Sequence, residues 1–360
     1  MTDFYEIDFW EVESKKSGDA ISIRYQIDGI EYIHVIDCGF VDTGPTIVAK
    51  INKYYDQPNL IDHVVVTHPD GDHAGGVRSI LETFEVGALW MLRPWKYAGE
   101  LIDRFSRFTS VPNLEARLKE LYPNLLELER IANEKGIPIY EPFQGSQIGV
   151  FRVLAPSRSR YLDLVVESEK TPDASLDTKS ITTVTETLTI AAKKILNLVK
   201  AAWGAEVFSV DETSSENEMS VVQHGTLLGE FIMLTGDAGR GTLGEAVNYA
   251  PLVGIALPGI HKFQVPHHGS RRNVSTLILD QILGPRLAAL SETSSFTAMI
   301  SSAKEDEDHP RKSVVRAMVH RGGGVISTEG QSIRVGLNQP KRDDYNSIPN
   351  LPYPEDQETD

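Results

Sequence analysis

One short stretch limits what this chain can fold into: Val64-Val65-Val66-Thr67-His68-Pro69-Asp70-Gly71-Asp72-His73-Ala74-Gly75-Gly76. Its β-branched start suits a buried strand, and the strand gives way at once to four side chains able to bind metal: His68, Asp70, Asp72 and His73. Pro69 and Gly71 keep the segment out of helix, so the ligands leave an irregular loop at the carboxyl end of a strand. Imidazole with carboxylate suits Zn²⁺, Mn²⁺ or Fe²⁺, and two ligand pairs this close can serve two ions. The competing reading is an acidic Asp-Gly-Asp turn that holds Ca²⁺ or nothing. It fits poorly, because Ca²⁺ sites use oxygen ligands and two histidines bracket this turn. Gly75 and Gly76 allow the next helix to start close to the ions.

The run from Thr67 to Gly76 resembles the signature of the metallo-β-lactamase superfamily, in the variant whose usual second histidine is aspartate. That variant is similar to the hydrolase domain of the competence protein ComEC and its free-standing relatives. Together with strands and helices that alternate in two halves, the resemblance implies an α/β fold, a four-layer αβ/βα sandwich over residues 1–340. Residues 157–216, rich in Ser, Thr, Asp and Glu, read as an insertion whose helix runs from Thr182 to Trp203, a surface for packing or for a protein partner.

Further motifs match the same family. A Gly18-Asp19 turn precedes a strand ending in Asp37-Cys38-Gly39, and the resemblance implies that Asp37 supports the metal loop from behind. Leu234-Thr235-Gly236-Asp237 ends a hairpin and resembles the motif whose aspartate bridges both metals. Pro266-His267-His268-Gly269-Ser270-Arg271-Arg272 follows a strand; two adjacent histidines there do not easily aim at one point. Matching the family's His-x-Ser makes His268 the ligand and leaves His267 as a proton donor or weaker ligand. Ser270, Arg271 and Arg272 could hold a phosphate, with surface ion pairing the competing use of the arginines. His309, in a His-Pro step at a helix entry, could face the metals. The strand from Gln147 ends in Ala155-Pro156, where much of the superfamily has another metal-binding histidine. The implied ligand set is therefore His68, Asp70 and Asp237 for one ion, and Asp72, His73, His268 and Asp237 for the other. Asp72, His267 and His309 are the implied catalytic groups. Zn²⁺ and Mn²⁺ compete as the cofactor of so carboxylate-rich a site.

Several elements read as scaffold: helices over Ala98–Thr109 and Asn113–Gly136, a basic and aromatic loop Arg93-Pro94-Trp95-Lys96-Tyr97, and the lone Cys38, which excludes a disulfide framework. The formal charge of −16 argues against a broad electropositive surface for nucleic acid. Residues 341–360, acidic and proline-rich, read as a solvated tail. No apolar run approaches the ~20 residues of a membrane span, and residues 1–6 lack the features of a signal peptide. The expectation is a cytoplasmic protein without a membrane partner.

Three functions follow in order. The first is a metal-dependent phosphodiesterase or nuclease acting on nucleic acid or a small phosphodiester, because the ComEC-like branch looks nucleolytic. The second is hydrolysis of a small ester, lactone, thioester or amide. The third is a non-catalytic binding or regulatory protein with a vestigial metal site.

Overall fold

The computed structural model, which describes residues 2–12, 15–171 and 197–359, arranges the alternating elements as two facing sheets. The first has seven strands in the spatial order Ile333–Leu337, Phe4–Phe9, Ala20–Ile27, Ile30–Cys38, Leu60–Val65, Glu85–Trp90 and Ile139–Tyr140. The second also has seven, in the order Gly323–Ser327, Phe296–Ile300, Lys262–Gln264, Glu230–Leu234, Val222–Leu227, Phe151–Ala155 and Gln147–Ile148. The strands around Leu60–Val65 and around Lys262–Gln264 run parallel, so their carboxyl ends share one edge of the molecule. Parallel neighbours need crossovers, which helices such as Gly44–Tyr54, Val77–Thr83 and Thr276–Leu283 supply.

Three apolar clusters define the layers. Tyr5, Ile7 and Phe9 alternate along their strand and meet Phe151, Ile232 and Met299 of the other sheet. Outside the first sheet, Ile47, Ile51, Ile80 and Leu128 cover Val35, Val64 and Leu89. Outside the second, Leu243, Leu279 and Met318 cover Met233, Phe263 and Ala298. The order helix–sheet–sheet–helix is the expected four-layer sandwich. Among the described residues, no helix is long and apolar enough to cross a membrane.

Local departures have local causes. The helix expected over Asn113–Gly136 is two helices, Val111–Leu121 and Pro123–Lys135, because Pro123 has no N–H to continue the first and suits the start of the second. Ala98–Thr109 holds one turn of α-helix, Ala98–Leu101, and one of 3₁₀, Ile102–Arg104. The strand expected over Gln147–Pro156 folds back as two paired strands, with Gly149 at a φ of 55°. Of the helix expected from Thr182 to Trp203, residues 182–196 lie outside the described ones. Asn197–Lys200 is a strand instead, paired antiparallel with Asp356–Thr359.

That pairing also changes the reading of the acidic tail, which is tied to the body at Arg342 and over Asp356–Thr359. Arg342 bonds Asp8 at 2.6 Å and Glu6 at 2.9 Å, two acids on the outward side of the first strand. Glu358 accepts from the backbone N–H of Lys312 (2.7 Å) and Ser313 (3.0 Å), capping the positive end of helix Lys312–His320. Net acidity conceals such pairings, because each needs only one well-placed partner.

The glycines after the metal loop owe their identity to a close approach. A Cβ on Gly76 would lie 2.1 Å from the carbonyl oxygen of Cys38 and 2.8 Å from that of Phe40. Gly76→Ala should therefore cost about 1–3 kcal/mol, as overpacking does. Chemical denaturation measures it, and an unchanged midpoint would exclude this packing.

Candidate metal centre

Every group of the centre hangs from the shared sheet edge. Asp37 ends the strand Ile30–Cys38, and residues 68–73 follow Leu60–Val65. Asp237 follows Glu230–Leu234, and the two histidines follow Lys262–Gln264. Backbone geometry is unusual at three of these positions: Asp37, His267 and His268 have φ of 54°, 48° and 55°, in the left-handed region that side chains seldom adopt. With Gly269 at 87°, the histidine turn is left-handed through three residues. That conformation is what lets adjacent histidines, which do not easily aim at one point, both face Asp237. Their Nε2 atoms lie 3.6 Å (His267) and 3.8 Å (His268) from Asp237 Oδ2.

Hydrogen bonds set which nitrogen of each ring is available. His73 Nδ1 lies 2.8 Å from Asp37 Oδ2, an acceptor, so Nδ1 carries a proton and Nε2 is the nitrogen left for an ion. His268 Nδ1 lies 2.9 Å from the carbonyl of Ser301 and is fixed the same way. Thr67 donates its hydroxyl to Asp37 Oδ2 at 2.5 Å, so it can only accept from His68 Nδ1, at 3.1 Å. Three imidazoles thus turn their Nε2 atoms toward the carboxylate of Asp237. His68 Nε2, His73 Nε2, His268 Nε2 and Asp237 Oδ1 are all buried and lack a hydrogen-bond partner.

Such orphaned groups cost about 1–3 kcal/mol each. Their spacing explains why they persist. His73 Nε2 is 3.3 Å from Asp237 Oδ1, His268 Nε2 is 3.8 Å from Asp72 Oδ2, and His68 Nε2 is 3.9 Å from Asp237 Oδ2. Ligands held tetrahedrally about Zn²⁺ sit ~3.3 Å apart, so these atoms are gathered as for a divalent ion. Asp72, His73 and His268 form one such group and Asp19, Asp237 and His268 another.

Residues 31–143 match the family model of the metallo-beta-lactamase superfamily. The chain has the metallo-β-lactamase fold. Similar solved structures include a beta-lactamase-superfamily hydrolase named AbOPH, with 9% identity over 61% of this chain and 56% of that one, at a TM-score of 0.30. A metallo-beta-lactamase from Cronobacter sakazakii, carrying a mutated HARLDQ motif, has 13% identity over 82% and 77% of the two chains, at 0.29. A beta-lactamase domain protein from Burkholderia ambifaria has 13% identity over 71% and 69%, at 0.31. The chain thus spans just over half the length of the first of these. No curated protein matches it.

Within this centre the other expected residues divide. Asp70 stands 3.8 Å from His68 Nε2 through Oδ2, while its Oδ1 holds the Lys170 ammonium at 2.5 Å. His309 lies at the rim, its ring 5.6 Å from that of His267 and its Nδ1 3.2 Å from Asp306. Ser270 and Arg271 are buried behind the histidine turn. Arg272 turns outward, 3.8 Å from Asp211. The aromatic loop is not at the centre: Trp95 and Tyr97 are buried in the outer core, and Trp95 and Arg93 both bond Glu129.

Two contributors escaped the sequence reading. Asp19, fully enclosed, lies 3.7 Å from His73 Nδ1 and 3.8 Å from His268 Nδ1. Its Gly18-Asp19 turn was visible, but nothing in it signalled a ligand. Asn273 donates to the Asp237 carbonyl at 2.8 Å and sits 2.9 Å from His267 Nδ1, steering both.

Charge inside the cluster is mutual. Burial would lower the His268 pKa, but Asp237, Asp72 and Asp19 outweigh it and lift it to about 9. His73 is likewise raised against its burial by Asp237 and Asp37. Asp237 is held well below the carboxylate range; burial opposes this, and His73, His267 and His268 prevail. Burial dominates at His267, which falls to about 4 and is neutral at pH 7. Without metal the cluster therefore stores protons that an ion must displace.

Two outcomes follow. The raised His268 stabilises the metal-free chain fully below its ordinary pKa of ~6.5, and that contribution is lost as pH climbs through about 9. The melting temperature of metal-free protein should fall across this window, and calorimetry of Zn²⁺ binding in buffers of differing ionisation enthalpy should show proton release; binding without it would contradict the charge assignment. Asp37→Asn should weaken metal binding by about 10–100-fold with the fold intact, since an amide cannot accept from all three of its donors. Equal affinity would remove Asp37 from its orienting role.

Proposed function

We propose that this chain is a metal-dependent hydrolase that cleaves phosphodiesters. The observation that carries the reading is the convergence of four buried donor atoms, His68 Nε2, His73 Nε2, His268 Nε2 and Asp237 Oδ1, none of them hydrogen-bonded. A vestigial site has no reason to keep them so. Members of the superfamily are generally hydrolases, and the Asp70 variant of the metal loop resembles the nucleolytic ComEC-like branch.

Asp72, His73, His268 and Asp237 would hold the ion, with Asp19 beside them. A divalent ion there supplies Lewis acidity and acidifies the water it binds. The chain's own residues do the rest. Asp72, its carboxyl kept ionised by His268 and His73 against burial, is an acceptor able to orient a water. His267 offers a lone pair rather than a proton, being neutral at pH 7, so it fits a ligand or an acceptor and not the proton donor. That task falls to His309. Asp306 accepts from its Nδ1 and is itself fixed by the hydroxyl of Ser17 at 2.6 Å, an arrangement that favours the imidazolium form, whose Nε2–H would protonate a leaving-group oxygen.

The substrate favoured is a small phosphodiester or a strand end. A net charge of −16, with Arg272 engaged by Asp211, gives little to hold a long polyanion.

Cleavage of bis(p-nitrophenyl) phosphate, DNA and RNA with Mn²⁺ or Zn²⁺ tests the proposal. Asp72→Ala should abolish it. His309→Ala should slow natural phosphodiesters by about 10²–10⁴-fold, yet barely affect the p-nitrophenyl ester, whose leaving group needs no proton. Metal-loaded protein that leaves every phosphodiester intact would end this reading.

A further inference from the structure

Lys170 follows the helix Arg158–Glu167, on the side of the centre where His68 and Asp70 stand. Its ammonium lies 2.5 Å from Asp70 Oδ1, and among the described residues it is the cation recorded against that carboxylate. Nearby, His68 Nε2 is fully enclosed and has no hydrogen-bond partner, 3.8 Å from Asp70 Oδ2 and 3.9 Å from Asp237 Oδ2. These three residues are the set the sequence offers to a first ion. The strand Phe151–Ala155, ending in Pro156, adds no ligand to it.

Coordination chemistry makes that set marginal. A stable divalent site takes at least three protein ligands; Asp37 groups with His68 and His73 but is taken up by three hydrogen bonds, which leaves Asp70 as the third ligand beside His68 and Asp237. Asp70 is already neutralised by Lys170. The neighbouring group, Asp72, His73 and His268 with Asp237, needs no such release, since among the described residues no lysine or arginine pairs with any of the four. Asp70 itself is absent from the groups whose ligand atoms lie mutually within reach of one ion.

We propose that Lys170 stands in for the first metal ion, so that the chain binds one divalent ion rather than two. This rests on the reading of the cluster as a metal centre. Lys170 is then a positioning residue: it fixes Asp70 and supplies the positive charge that balances the carboxylates of the loop, while His68 keeps its lone pair toward Asp237.

Metal stoichiometry decides the matter without reference to activity. Metal-free full-length protein would be titrated with Zn²⁺ by calorimetry, with bound zinc counted by elemental analysis after desalting. Wild type should bind one ion per chain. Lys170→Met, which keeps the aliphatic stem and loses the charge, should gain a second, weaker event and approach two ions per chain, and adding Asp70→Ala to it should return the count to one. Two ions on wild type, or one ion on Lys170→Met, would overturn the role of Lys170 and leave the hydrolase reading standing. No bound zinc on folded wild type, judged by circular dichroism, would overturn both.

Discussion

The carboxylate of Asp37 is what the rest of the centre depends on. Buried at the end of its strand, it accepts three hydrogen bonds: the Thr67 N–H at 2.9 Å, the Thr67 hydroxyl at 2.5 Å and His73 Nδ1 at 2.8 Å. Each bond has a separate consequence. The first ties the metal loop to the neighbouring strand, the second makes Thr67 an acceptor for His68, and the third fixes the tautomer of His73. One aspartate thereby decides which nitrogen two histidines present, and a carboxylate satisfied by three donors has little reason to bind metal itself.

The second sheet supplies what the first cannot. Asp237 and His268 enter from the opposite half, so the centre exists only when the sandwich is closed. Closure is enforced beside it by polar links between the halves. Gln264 donates to Asp19 at 2.7 Å, and Val221 N–H bonds the Thr67 carbonyl at 3.1 Å. Gly236, at a φ of 50°, lets its loop pass within 3.0 Å of where a Cβ would meet Thr67. Folding and assembly of the ligand set are therefore one event, with the apolar layer between the sheets driving it and the polar links setting its register.

Much of this was legible because the informative residues are local. A valine run that turns into His-Pro-Asp-Gly-Asp-His in one step can be read from spacing alone, and Asp237 announces itself behind Thr-Gly. What could not be read depends on distant partners. Asp19 becomes part of the centre only through His73 and His268. The acidic tail is bound because Arg342 finds Glu6 and Asp8, more than three hundred residues earlier in the chain, and Glu358 finds a helix end. Lys170 sits in a polar stretch that gives no hint of Asp70. Composition reports how many charges a chain has, and only tertiary structure reports which of them meet.

The histidine turn shows the same limit in backbone terms. In extended or helical backbone, adjacent side chains diverge, which is why His267 read as a proton donor or weaker ligand beside His268. Two consecutive non-glycine residues in the left-handed region cost about 1–3 kcal/mol each, and only surroundings that over-determine the turn can hold them. Those surroundings are visible: His267 N–H bonds the Gly236 carbonyl at 3.2 Å, Ser270 N–H bonds that of His267 at 2.9 Å, and Arg311 N–H bonds that of Gly269 at 3.1 Å. The last of these comes from the segment that carries His309. The strained turn, the loop of Asp237 and the segment of His309 are thus tied to one another through backbone hydrogen bonds.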